Sequence, residues 1–174
     1  KTKENELSSD RIDFIWNGHT ITPEREEKVD FTKPYLENAQ VVAVLEDSPI
    51  ESLEDLEGEV IGLQALSSAM DALEANPIYE KVAEVTEYAD NVLALNDLKA
   101  GRVEAVVIDY YMAQEEGTFR VLDEGLAPEQ YGVGVKKGNT ELLDRLQKAL
   151  DEMNEDGTAA EISEKWFGED KILK

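Results

Sequence analysis

Leu98-Lys99-Ala100-Gly101-Arg102-Val103-Glu104-Ala105-Val106 echoes, without a gap, a pattern met 91 residues earlier as Leu7-Ser8-Ser9-Asp10-Arg11-Ile12-Asp13-Phe14-Ile15. Each copy reads as the end of a helix, a tight turn and a buried parallel strand. The same unit used twice implies two similar lobes. Two copies at this distance are too few and too widely spaced for a solenoid. In open α/β sheets ligands bind beyond the carboxyl ends of strands, so the copies direct attention to Asn17-Gly18-His19-Thr20 and to Ile108-Asp109-Tyr110-Tyr111. If the lobes face each other, these ends line one cleft.

Outward from the echo, short β-branched runs alternate with segments of helical period, the pattern of an α/β fold with a largely parallel sheet. Strands are expected over residues 12–16, 40–45, 60–63, 82–88, 103–108, 119–122 and 131–135. Ser52 with Asp55 opens a helix that Gly58 closes, and Asp90 opens one that Gly101 closes. Asn139 or Thr140 opens a longer helix with Leu142, Leu143, Leu146, Ala149, Leu150 and Met153 on one face, stopped by Gly157. A last helix carries Ile162, Trp166 and Phe167, which are expected to pack on the body of the protein. The first copy's helix begins almost at Lys1, so the strand that should precede it in a βαβ unit is absent. The first lobe therefore reads as incomplete.

The bulk numbers exclude several functions. Seventeen basic residues against forty acidic ones give a formal charge of −23, which repels phosphate backbones and makes nucleic acid an unsuitable partner. The acids are interleaved with apolar residues, as in a solvated acidic surface. With no cysteine there is no disulfide, thiolate metal site or thiol nucleophile, and the single histidine, His19, rules out a multi-histidine metal centre within one chain. No G-x-S-x-G elbow accompanies His19. No run of roughly 18 apolar residues is present for a membrane helix.

Three stretches carry chemistry. Thr22-Pro23-Glu24-Arg25 has a cap residue followed by proline, so a helix starts here and Arg25 sits in its first turn. A cation is mildly disfavoured there, while the planar fork suits bidentate capture of a carboxylate; the alternative is a surface salt bridge with Glu26 or Asp30. Gln64-Ala65-Leu66-Ser67-Ser68-Ala69-Met70-Asp71 reads as a strand leading into a Ser-capped helix, with Ser68 and Asp71 as a capping pair whose N–H groups could also serve an anion. Asp109 ends an apolar strand and needs a cationic or hydrogen-bonding partner; either it meets an ammonium group or it caps the helix beginning at Tyr110. An arginine, two helix N-termini and an acid form a pattern complementary to a zwitterion.

Residues 12–25, Ile12-Asp13-Phe14-Ile15-Trp16-Asn17-Gly18-His19-Thr20-Ile21-Thr22-Pro23-Glu24-Arg25, followed by Val29-Asp30-Phe31-Thr32-Lys33-Pro34-Tyr35, closely resemble the signature stretch of the polar amino-acid-binding proteins of ABC importers. Residues 64–68, 98–109 and 131–138 resemble later parts of the same family in order. The resemblance implies an α/β, two-lobed, periplasmic-binding-protein-like (Venus flytrap) fold with an incomplete first lobe. Lobe 1 would be residues 1–43 and 131–174, lobe 2 residues 44–130, with hinges near residues 41–44 and 129–133.

Carried over residue by residue, Arg25 grips a ligand carboxylate together with Thr20 and Ser68 of the Ser67–Ser68 pair. Asp109 and the Gly18 carbonyl hold its ammonium, and Asn17 and Gln64 line the cleft. No catalytic residue, cofactor or metal is implied. The expected role is the extracytoplasmic substrate-binding component of an amino-acid ABC transporter, in the periplasm or lipid-anchored at the cell surface, closing on its ligand by hinge motion and presenting it to a membrane permease. The alternatives are a cyclohexadienyl-dehydratase-like enzyme, which would need a general acid beyond Asp109, and a ligand-sensing domain of a larger receptor.

Two departures stand out. Leu66 replaces the glycine usual before the serine pair, and the family's opening strand, helix and second strand have no counterpart. An incomplete lobe exposes an apolar edge, so a homodimer, a swapped assembly or a partner chain is expected.

Overall fold

Short polar side chains start the helices. At one helix Asp90 accepts from the Leu93 N–H at 2.9 Å, and at another Asn139 accepts from the Leu142 N–H at 3.3 Å, each satisfying a donor that has no partner inside the helix. Glycines in the left-handed region follow the ends, Gly101 at φ 64° and Gly157 at φ 85°.

The computed structural model describes residues 2–113 and 118–173. Its elements run α1 (Thr2–Ser8), β1 (Phe14–Ile15), α2 (Pro23–Glu26), β2 (Val29–Phe31), β3 (Leu36–Leu45), β4 (Val60–Gln64), α3 (Ser68–Glu74), β5 (Glu84–Tyr88), α4 (Asn91–Lys99), β6 (Ala105–Asp109), β7 (Phe119–Val121), β8 (Ala127–Tyr131), β9 (Gly134–Lys136), α5 (Thr140–Glu155) and α6 (Thr158–Phe167), with 3₁₀ turns at Glu54–Leu56, Pro77–Glu80 and Tyr110–Met112. The chain divides into two units, residues 1–37 with 129–174 and residues 38–128.

The second unit is a sheet in the order β5-β4-β6-β3-β7, with β8 also paired to β3. β4 runs parallel to β5 and β6, whereas β3 is antiparallel to β6 and β7. The expected largely parallel sheet is thus mixed, because β3 enters from the other unit rather than through a helical crossover. Alternate side chains feed two cores: Val42, Val44, Ile61, Leu63, Ala105 and Val107 with Leu73 of α3 on one face, and Val41, Ala43, Val106 and Ile108 with Ala94 and Leu98 of α4 on the other. Covering both faces explains why these strands read as continuous apolar runs. Each fully buried Leu or Ile here stabilises the unit by roughly 1.5–3 kcal/mol.

The first unit holds the antiparallel sheet β1-β9-β2 over a small core of Leu7, Ile15 and Val29, with Phe31 against it. The echo recurs in detail. Asp10 (φ 57°) occupies the place of Gly101 (φ 64°), and Leu7 and Leu98 are both buried. Arg11 N–H bonds the Glu6 carbonyl as Arg102 N–H bonds that of Asp97, and each arginine side chain returns to the same acid. Asp tolerates the left-handed conformation that glycine adopts freely.

The copies part at their strands. β6 is buried between β4 and β3, but β1 is two residues long, antiparallel to β9 and at the edge of its sheet. Only Ile15 is buried there, while Phe14 is 41% and Trp16 46% exposed. The expectation of a buried parallel strand therefore fails for β1, which has a strand on one side only among the described residues.

α6 also departs from expectation. It buries Ala159 and Ser163, one turn apart, and leaves Ile162, Trp166 and Phe167 exposed. α5 leaves its apolar face half-covered, with no residue fully buried.

Candidate functional site

In the first unit the site residues follow β1 as a loop of Asn17, Gly18, His19 and Thr20. Gly18 has φ 65°, and a Cβ there would stand 3.2 Å from the Tyr131 ring, so glycine is required twice over. Beside this loop the Tyr35 phenol is pushed up by burial against the opposing pull of hydrogen bonds from Trp16 and the Gly18 backbone. Asn17 is exposed.

Thr20, 4% exposed, bridges Tyr131 through its backbone and donates its hydroxyl to Glu129 Oε2 at 3.1 Å. Thr22 caps α2 by accepting from the Arg25 N–H at 3.3 Å. The Arg25 side chain turns back and gives Nη1 to the Thr20 carbonyl at 2.9 Å. Among the described residues no carboxylate pairs with it. Asp30, one candidate for such a bridge, is held by Lys137 at 2.7 Å and by the Gly138 N–H, with the lysine contact the leading cause of its lowered pKa. The guanidinium is tethered by a neutral carbonyl and keeps the rest of its fork for another acceptor.

His19 is wholly buried between these residues, its ring 5.1 Å from that of Phe31, and neither ring nitrogen has a hydrogen-bond partner. Burial first, then the charges of Lys3 and Arg25, lowers its pKa to about 3. The imidazole is a neutral core side chain, not a ligand or a base.

In the second unit Asp109 closes β6 opposite Gln40 of β3. Its carboxylate accepts from Asn38 Nδ2 at 2.6 Å and from Gln40 Nε2 at 2.9 Å. Of the two readings open from the sequence, capping is not made: Asp109 gives no side-chain cap to the Tyr110–Met112 turn. Gln40 Nε2 also reaches Ser68 Oγ at 3.3 Å, which links the acid to the start of α3.

The cap of α3 is Ser67, not Ser68: Ser67 Oγ accepts from the Ala69 N–H and donates to the Gln64 carbonyl. The helix starts one residue earlier than expected, directly after Leu66, which takes the left-handed conformation at φ 60°. For a branched-chain L-residue this costs roughly 1–2 kcal/mol, and its side chain is 67% exposed. Gln64 is half-buried at the end of β4.

Asn38, Gln40 and Glu129 are site neighbours that sequence reading did not single out. A polar pair at i, i+2 ahead of an apolar strand run, Asn38 and Gln40, is the signal that pointed to one face of β3.

Residues 1–169 match the family described as bacterial extracellular solute-binding proteins, family 3. The L-cystine-binding protein TcyJ of Escherichia coli K12 is 33% identical over 94% of this chain and 63% of that protein. The ABC transporter glutamine-binding protein GlnH of Bacillus subtilis is 33% identical over 98% of this chain and 63% of its own length. The chain thus spans less than two thirds of these curated relatives. Among solved structures, an ABC uptake transporter substrate-binding protein of Streptococcus pneumoniae with bound histidine superposes with a TM-score of 0.91 at 39% identity, covering 99% of this chain and 74% of that one. Tv2483 bound to L-arginine gives 0.90 at 26% identity, covering 99% and 72%. A match over nearly its whole length places the chain in family 3 of the bacterial extracellular solute-binding proteins.

Proposed function

We propose that the chain binds a polar amino acid as the extracytoplasmic receptor of an ABC importer and hands it to a membrane permease. Arg25, with Thr20 and the Ser67–Ser68 turn, takes the α-carboxylate. Asp109 and the Gly18 carbonyl take the ammonium, and Asn17 and Gln64 contact the remainder. The observation that carries the reading is Arg25, a half-buried guanidinium fixed by one bond to a carbonyl and paired with no acid among the described residues. Asp109, already oriented by two amide donors, supports the opposite pole. The named relatives are binding proteins for cystine and glutamine, which favours binding over the enzyme and sensor readings.

A thermal-shift screen of the twenty amino acids and L-cystine tests this. One or a few should raise the melting temperature by several degrees at millimolar concentration, as mass action requires when only the folded state binds. No shift with any of them would rule the reading out.

The second partner in this reading is another copy of the chain. Among the described residues β1 pairs on one side only, with Ile12, Phe14 and Trp16 exposed beside it, a surface suited to strand pairing across a two-fold axis. Light scattering at micromolar concentration should report a dimer; a well-folded monomer would remove this part.

A further inference from the structure

Thr20 has one hydroxyl proton, and Glu129 takes it: Oγ1 donates to Oε2 at 3.1 Å where β8 enters the first unit. On the other side of the same residue Arg25 holds the Thr20 carbonyl at 2.9 Å. A carboxylate of the chain therefore already engages a donor that the binding reading assigns to the ligand's carboxylate. A single O–H cannot serve both acceptors.

We propose that Glu129 is a positioning residue of the amino-acid site, a resident carboxylate that holds the Thr20 hydroxyl and competes with the ligand's α-carboxylate for it. This rests on the assignment of Thr20 and Arg25 to the carboxylate end. While resident, Glu129 keeps a buried hydroxyl satisfied, where an unmatched one would be costly. On binding, one charge-assisted bond is exchanged for another, so Thr20 adds little net affinity until Glu129 gives way. The chain is thus set to bind more weakly than its clamp permits.

Isothermal titration with L-arginine, L-histidine and L-glutamine at neutral pH, on the wild-type chain, Glu129→Gln, Thr20→Val and the double variant, tests this. Glutamine can donate its amide to Thr20 Oγ1 and release the hydroxyl proton to the ligand. Glu129→Gln should tighten binding about five- to tenfold. On the Thr20→Val background the same change should move Kd less than twofold, the signature of coupling through that hydroxyl. The α-carboxamide of the same ligand, lacking the competing carboxylate, should bind both forms alike.

If Glu129→Gln folds poorly by circular dichroism, Glu129→Ala carries the same expectations. Unchanged or weaker binding by the variant, or equal tightening on the valine background, overturns the role of Glu129 while leaving amino-acid binding intact. Absence of binding by wild type and variant alike overturns both.

Discussion

Between pH 7 and pH 4, His19 alone is expected to lower the unfolding free energy of the first unit by about 3 kcal/mol. Its imidazole is held neutral in the folded chain down to about pH 3, whereas in the unfolded chain it takes up a proton near its ordinary value of 6.5. Between these values the unfolded state binds the proton and the folded state does not, so stability falls as pH falls. The contribution is fully present above about pH 6.5 and is lost progressively towards pH 3. The lowered carboxyl pKa values of Asp30, Asp55 and Asp156 add a separate loss. It begins only as pH drops through the usual carboxylate range and on towards their folded values.

His19→Leu isolates the histidine. Both tryptophans lie in the first unit, so urea unfolding followed by tryptophan fluorescence at pH 7, 5.5 and 4 reads that unit directly. The leucine variant should match or exceed wild type at pH 7, since two buried nitrogens without partners are removed. The gap should then widen by about 3 kcal/mol at pH 4. Parallel pH profiles for the two proteins would show that the ring is solvated or paired after all.

Arg25→Ala is expected to weaken binding of whichever amino acid stabilises the wild-type chain by about 100-fold, enough to abolish its thermal shift. Arg25→Lys should recover little, because an ammonium cannot hold the Thr20 carbonyl and a carboxylate in the planar arrangement of a fork. The unliganded stability should drop by only about 1 kcal/mol, the value of one hydrogen bond to a carbonyl. That contrast separates a ligand contact from a structural one. A Kd within threefold of wild type would remove Arg25 from the site.

Much of the fold was readable wherever local chemistry is self-sufficient. Asp90, Asn139 and Thr22 act as caps because a short acceptor before a helix satisfies its first N–H groups whatever surrounds it. The echo was readable because a helix end, a left-handed turn and an arginine returning to an acid form within six residues. Arg25 stood out because a cation in a first turn opposes the helix dipole. The shift of the α3 cap to Ser67 was not readable, since it depends on Leu66 accepting a strained conformation. Nor was the exposure of Trp166 and Phe167 on a helix that buries Ala159 and Ser163 instead.

By itself the sequence determined the helix boundaries set by caps and glycines, the repeated helix-turn-strand unit, the acidic surface and the family signature. Each rests on contacts within a few residues or on composition. Tertiary structure alone decided that β3 runs antiparallel in the second unit's sheet, that β1 lies at an edge, and that His19 is sealed without a partner. It alone decided that Asn38 and Gln40 aim at Asp109 and that Glu129 takes the Thr20 proton. Those outcomes join residues 69 to 109 positions apart, and no local preference encodes which distant side chain arrives or whether a strand finds a neighbour on its second side.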